Sequence, residues 1–180
     1  MAETRKKKTA AVPGQKKVPE RRCVGCQGTF PKRDLLRVLR SPEGVISIDF
    51  TGKKVAVLGR SLVIGKPVAM MAMEQNATVT TCHSRTGVDN MKKICSESDI
   101  VIAAMGRAKM IDGSYFGEGQ VVLDVGINVD EEGNLCGDVN FEEAESVAGA
   151  ITPVPGGVGA VTTAVLMLQT LEAAERAAGL

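Results

Sequence analysis

Residues 54–67 read Lys54-Val55-Ala56-Val57-Leu58-Gly59-Arg60-Ser61-Leu62-Val63-Ile64-Gly65-Lys66-Pro67. The first five form an apolar run of strand length closed by glycine, and a helix opens near Lys66 with Pro67 in its first turn, where a missing N–H costs nothing. Glycine at Gly59 and Gly65 lets backbone approach a ligand closely, and the N-terminus of the helix offers N–H groups to a phosphate. The spacing is not G-x-G-x-x-G, so on these residues alone a plain strand-to-helix turn remains the alternative.

The stretches downstream repeat the same punctuation. Residues 77–82 form a second strand, 88–96 a helix, 99–105 a third strand and 120–125 a fourth. Residues 128–139, carrying Glu132-Gly133-Asn134, read as a turn or small hairpin, 141–148 as a short acidic helix, and 158–178 as the longest helix, with Gly179 just past its end. Near-continuous β-branched runs suit parallel strands covered on both faces. The expected fold is α/β, a doubly wound, Rossmann-like parallel sheet that binds ligands beyond the carboxyl ends of its strands.

Upstream the composition changes. The chain of 180 residues has net charge +1, but residues 1–53 carry 13 Lys and Arg against 5 acids, and residues 54–180 carry 9 against 16. Residues 1–17 offer almost nothing to bury and read as a disordered basic arm. Residues 18–52 hold some pattern: a Cys23-x-x-Cys26 pair, an amphipathic stretch over 32–40 that suits a helix or a strand, a Ser41-Pro42-Glu43-Gly44 turn and the alternating Val45-Ile46-Ser47-Ile48. That is too little apolar surface for a core of its own. The sequence thus divides into a basic, partly disordered extension over 1–52 and an α/β domain over 53–180.

The apolar runs are far shorter than the roughly 20 residues of a membrane-spanning helix, and no signal-like segment follows the basic N-terminus. The expected location is cytoplasmic, without a membrane partner. Five cysteines, an odd number scattered along the chain, are no disulfide framework. Cys23 and Cys26 lack a second pair of ligands for a structural zinc, so no metal is expected.

The end of the second strand narrows the ligand. An NAD site places an acid there for the ribose hydroxyls, whereas an NADP site places a cation near the 2′-phosphate. Here the strand runs into Cys82-His83-Ser84-Arg85-Thr86 with no acid. With Arg60 and Ser61 this makes a set of hydroxyls and guanidinium groups suited to a phosphate. A solvated polar loop is the alternative.

Five motifs occur in order: Gly59-Arg60-Ser61 with Gly65-Lys66-Pro67, Cys82 to Thr86, Asp124-Val125-Gly126-Ile127-Asn128, Gly137-Asp138-Val139, and Thr152-Pro153-Val154-Pro155-Gly156-Gly157-Val158-Gly159. Together they resemble the cofactor domain of the methylenetetrahydrofolate dehydrogenase/cyclohydrolase family. The resemblance implies NADP as cofactor. It implies that Arg60, Ser61 and Ser84, with Arg85 as a further contributor, hold the adenosine ribose and its 2′-phosphate, and that Gly59 and Gly65 shape the first turn. It further implies that Ala104, Met105 and Gly106 pass under the cofactor, that Gly126, Ile127 and Asn128 line the nicotinamide side, and that Pro155, Gly156 and Gly157 belong to the loop between nicotinamide and folate. The family's frequent Pro-Met after that loop is Ala160-Val161 here.

In that family a separate folate-binding domain supplies a lysine, with a tyrosine four residues before it. The sole tyrosine here, Tyr115, has no such lysine, so no catalytic residue is expected in this chain and a folate substrate only where a folate domain is supplied. The implied reaction is hydride transfer from methylenetetrahydrofolate, followed by a cyclohydrolase step. Residues 16–53, through Arg21-Arg22-Cys23-Val24-Gly25-Cys26 and Phe30-Pro31-Lys32-Arg33-Asp34-Leu35, are similar to the first half of the small bacterial YlxR proteins, which implies RNA contact. A nucleic-acid-binding protein acting through its basic extension is therefore the competing class. A homodimer is left open.

Overall fold

A computed structural model describes residues 19–22, 28–31, 38–40 and 46–179. The arm over 1–17, Cys23, Cys26, the turn over 41–44 and residues 32–37 of the amphipathic stretch lie outside them. The chain falls into two units, Met1–Ile48 and Asp49–Leu180. In the first, strand β1 (Glu20–Arg22) pairs antiparallel with β2 (Thr29–Pro31), and β3 (Val38–Arg40) with β4 (Ile46–Ile48). Of the two readings open for the amphipathic stretch, its described end, Val38–Arg40, is a strand.

The second unit alternates strand and helix: β5 (Lys54–Leu58), α1 (Gly65–Glu74), β6 (Thr78–Cys82), α2 (Val88–Ser96), β7 (Ile100–Ala103), a 3-10 turn (Gly113–Tyr115), β8 (Val121–Asp124), the hairpin of β9 (Asn128–Val129) and β10 (Leu135–Cys136), α3 (Phe141–Glu145), β11 (Ala150–Ile151) and α4 (Val158–Ala178). Five strands form one parallel sheet in the order β11-β8-β7-β5-β6. The doubly wound fold expected from the sequence is the one observed. The additional edge strand β11 and the 3-10 turn are too short for any periodicity to announce them.

Burial explains the sheet. Val55, Ala56, Val57 and Leu58 of β5 and all four residues of β7 are buried, as central parallel strands covered on both faces must be. Edge strand β6 instead exposes Thr78, Thr80 and Thr81 and buries only its last residue, Cys82. Helix α1 turns Ala69 and Ala72 inward, and α2 turns Met91 and Cys95, one helical turn apart. Met91 and Cys95 meet Ile111, Tyr115 and Phe116 in one core.

Gln120, itself buried, holds the layer together below. Its Nε2 donates to the carbonyls of Cys95 (2.7 Å) and Ser98 (2.6 Å), and its Oε1 accepts the N–H of Gly117 (2.9 Å). The end of α2 is thereby pinned to the start of β8. Helix α4 ends on Gly179 in the left-handed conformation (φ 75°), and none of its residues is buried. Val161, Leu166, Met167 and Leu171 are all more than half exposed.

Candidate functional site

The ends of β5, β6 and β7 open into one cleft of about 390 Å³. Its first wall is the turn after β5. Gly59 takes φ 124°, and a Cβ there would stand 2.1 Å from the carbonyl oxygen of Ala104, the residue after β7. Only glycine allows the two turns to meet, and the backbones are joined by Ala104 N–H donating to Leu58 O at 2.8 Å. Gly65 is packed beneath, where a Cβ would lie 2.3 Å from Gly59 O.

Ser61 closes this turn. Its Oγ accepts the N–H of Ile64 at 3.0 Å and of Gly65 at 3.3 Å, while its carbonyl accepts the N–H of Lys66 at 3.0 Å. The first amides of α1, expected from the sequence to be free for a phosphate, are partly taken by this serine, although its hydroxyl proton remains available to donate.

The second wall is the turn from β6 into α2. His83 N–H donates to Thr86 Oγ1 at 2.9 Å and Arg85 N–H to His83 Nδ1 at 3.1 Å. This local network fixes the turn without an acidic residue. The third wall, residues 104–107, is held from below by Asp138. That fully buried carboxylate accepts the N–H groups of Met105, Gly106 (3.0 Å) and Arg107 (2.8 Å), and the side-chain amide of Asn128 (2.9 Å).

The cleft is lined by Arg60, Ser61, His83, Ser84 and Arg107 as its polar groups, with Gly59, Gly87 and Ala104 as backbone surface. Val88, Met91, Met105 and Met110 supply an apolar side. No carboxylate lines it. Two guanidinium groups, an imidazole and two hydroxyls beside an apolar side suit a phosphorylated ligand that also carries an apolar ring.

The sequence-selected residues divide accordingly. Gly59, Arg60, Ser61, Ser84 and Ala104 come together in the cleft, and Gly106 lies between two of its lining residues. Arg85 is exposed on the same turn but does not line the cleft. Gly126, Ile127 and Asn128 follow β8, with Gly126 packed so tightly on Asp138 that a Cβ would meet its Cγ at 2.4 Å. Ile127 is exposed, and Pro155, Gly156 and Gly157 stand between β11 and α4.

Arg107 and Met110 were not selected, because Arg107-Ala108-Lys109-Met110 carries no periodicity or motif of its own. The turn glycine Gly106 was the available signal. Asp124 and Asp138 were quoted within motifs, but only burial reveals their work. Asp124 accepts N–H groups from Gly126 (2.9 Å), Asp138 (3.1 Å) and Val139 (2.9 Å). Burial nevertheless pushes its carboxyl above the ordinary range, against those three bonds.

No lysine lines the cleft. Lys53 pairs with Asp99 (3.5 Å) before the sheet begins, and Lys92 stands 5.0 Å from the centre of the Tyr115 ring, which is buried in the core. Among the described residues no cluster of acids, histidines or cysteines could hold a metal, and no helix is long and apolar enough to cross a membrane.

Residues 40–178 match the family model of the tetrahydrofolate dehydrogenase/cyclohydrolase NAD(P)-binding domain. The match begins ahead of the expected domain boundary at Lys53. Among curated proteins, the chain is 51% identical over 142 residues to the bifunctional protein FolD of Clostridium botulinum, covering 76% of this chain and 50% of that protein. It is 54% identical over 136 residues to the FolD protein of Carboxydothermus hydrogenoformans, covering 74% and 47%. Among solved structures, the methylenetetrahydrofolate dehydrogenase-cyclohydrolase of Trypanosoma brucei, complexed with NADP cofactor and an inhibitor, superposes with a TM-score of 0.66 at 40% identity, covering 72% of this chain and 46% of that one. The FolD enzyme of Campylobacter jejuni gives the same TM-score at 38% identity. The chain spans about half the length of the curated relatives it matches.

Proposed function

Because this chain belongs to the tetrahydrofolate dehydrogenase/cyclohydrolase family through its NAD(P)-binding domain, we propose that it binds NADP and forms the cofactor half of a methylenetetrahydrofolate dehydrogenase. One observation carries the reading: the cleft across β5, β6 and β7 gathers Arg60, Ser61, His83, Ser84 and Arg107 with no carboxylate. An acid at the end of the second strand would repel a 2′-phosphate; Ser84 stands there instead. Arg60, Ser61 and Ser84 hold the adenosine phosphate, and Val88 and Met91 pack on the base. Gly126, Ile127, Asn128 and the turn over 155–157 face the nicotinamide. NADP bound there supplies a hydride acceptor.

Hydride transfer also needs the donor carbon held against the nicotinamide, and such positioning accounts for roughly 7–11 kcal/mol of a barrier. The folate wall that would do this corresponds to the half of the relatives that this chain does not span. Helix α4, with no buried residue and a run of exposed Val, Leu and Met, supports a second domain as the element that covers it. A cytoplasmic location accords with this reading.

The test is an assay of methylenetetrahydrofolate oxidation by the purified chain, alone and with a separately expressed folate domain. The chain alone gives no turnover. Addition of the folate domain raises NADPH formation above the sum of the parts. Robust turnover by the chain alone, with full-length enzyme excluded by mass spectrometry, contradicts the division of labour.

A second activity is proposed for the basic extension, on its segregated charge: contact with RNA through phosphate neutralisation by residues 1–53. Affinity for RNA falls steeply with salt and is lost in a chain starting at Lys53. Equal binding by that shorter chain contradicts it.

A further inference from the structure

We propose that Arg107 binds the diphosphate bridge that NAD and NADP share, on the opposite side of β5 from the adenosine phosphate. The inference rests on the dinucleotide reading above and assigns a residue that sequence inspection passed over.

Strand order sets the direction. The sheet runs β8-β7-β5-β6, with Ser84 after β6, Arg60 after β5, Arg107 after β7 and Gly126 after β8. In a doubly wound sheet the adenosine ribose lies at the end of the second strand, here β6. A dinucleotide extending from there toward Gly126 must cross the end of β5 and then that of β7. Arg107 lines the cleft at that crossing.

A diphosphate there gains from such a group because the amides at the start of α1 and in the turn after β7 are committed. Helix N-termini hold phosphates through free N–H groups. In this turn the N–H groups of Ile64 and Gly65 go to Ser61 Oγ, and that of Lys66 to Ser61 O. On the facing turn, the N–H groups of Met105, Gly106 and Arg107 all go to Asp138. Two stretches of backbone that could have cradled an anion are thus occupied from within the protein. The side chain of Arg107 is the donor this turn still presents, and a guanidinium can grip two phosphate oxygens at once.

The backbone of Arg107 is also fixed in advance. Its N–H is tied to the buried Asp138 carboxylate at 2.8 Å, and Gly106 takes φ 68° with no atom within 4 Å of its would-be Cβ. The turn is anchored from below and open above, where a ligand would lie. The guanidinium is exposed and makes no hydrogen bond or ion pair to another described residue.

Calorimetric titrations of the full chain and of Arg107→Gln with NADP, NAD and 2′-AMP test the assignment. Arg107→Gln weakens NADP and NAD by similar factors, roughly ten- to a hundredfold for a lost charge-assisted contact. It leaves 2′-AMP, which has no diphosphate, unchanged, and Arg107→Lys restores part of the loss. Selective weakening of NADP and 2′-AMP would place Arg107 at the 2′-phosphate and overturn the proposal. No change, or loss of all three ligands together, overturns it as well. An unmodified chain that binds neither dinucleotide refutes the cofactor reading itself, whatever the variant does, and the proposal falls with it.

Discussion

The backbone N–H of Asp138 donates to Oδ1 of Asp124 at 3.1 Å, so the two buried carboxylates beneath the cleft are joined in series. Asp124 gathers the amides that follow β8 and the loop over 137–139. Asp138 gathers those that follow β7 and the Asn128 amide of the hairpin. Buried polar oxygens are tolerated where several N–H groups meet them, and here those N–H groups belong to the turns that form the cleft. The packing leaves no slack: a Cβ at Gly137 would stand 1.9 Å from Asp124 Oδ2.

Asp138→Ala therefore costs folding stability, not only affinity. Three backbone N–H groups lose their acceptor on a turn whose outer side is open to water, so each is worth an ordinary net hydrogen bond of about 0.5–1.5 kcal/mol, and a loss of about 1.5–4.5 kcal/mol is expected. Urea denaturation measures it. A variant as stable as the parent would show that the turn finds other partners.

Gly59 and Gly106 both have positive φ but differ in surroundings. Gly106→Ala meets open space and pays the left-handed strain alone, about 1–2 kcal/mol. Gly59→Ala adds a collision with Ala104 O, which either separates β5 from β7 or prevents folding. Thermal unfolding should rank Gly59→Ala well below Gly106→Ala; equal midpoints would contradict the close approach of the two turns.

Much of this architecture was legible in the chain. The runs 54–58, 100–103 and 121–124 announce buried parallel strands because both faces need apolar side chains, and the predicted ends fall within about two residues of the observed ones. That Arg60, Ser61 and Ser84 line the cleft was legible because they sit in motifs at strand ends. The place of Arg107 in the cleft was not, since it depends on which turn Asp138 holds, a relation between residues 31 apart in sequence. The commitment of the α1 amides to Ser61 was hidden for a related reason: serine after a glycine reads equally well as ligand contact or as cap. The exposure of α4 was invisible because its Ala- and Leu-rich composition is that of a helix packed on something.

Cys82, Cys95 and Cys136 are buried and free. Burial, and secondarily the neighbouring Cys82, push the Cys95 thiol from near 9 up to about 12. A thiol raised in the folded state adds stability below its ordinary value, and that stability is lost as pH rises from about 9 toward 12. At pH 8 the native protein should protect Cys82 and Cys95 from maleimide, with labelling only in urea, as read by peptide mass spectrometry. Rapid native labelling of Cys95 would contradict its place in the core.

Arg60 reaches the cleft at the end of β5 and, on the proposed function, meets the 2′-phosphate. Arg60→Ala weakens NADP binding roughly ten- to a hundredfold and barely changes NAD, since a charge-assisted contact is worth about 1.5–3 kcal/mol. Equal losses for both cofactors would place Arg60 elsewhere on the ligand.

The most direct measurement of the central claim is a calorimetric comparison of NADP and NAD on the full chain at moderate salt. The account predicts saturable binding of one NADP per chain and clearly weaker binding of NAD, because the cleft presents guanidinium and hydroxyl groups and no carboxylate to the adenosine ribose. Equal affinities, a preference for NAD, or no binding of either would contradict it.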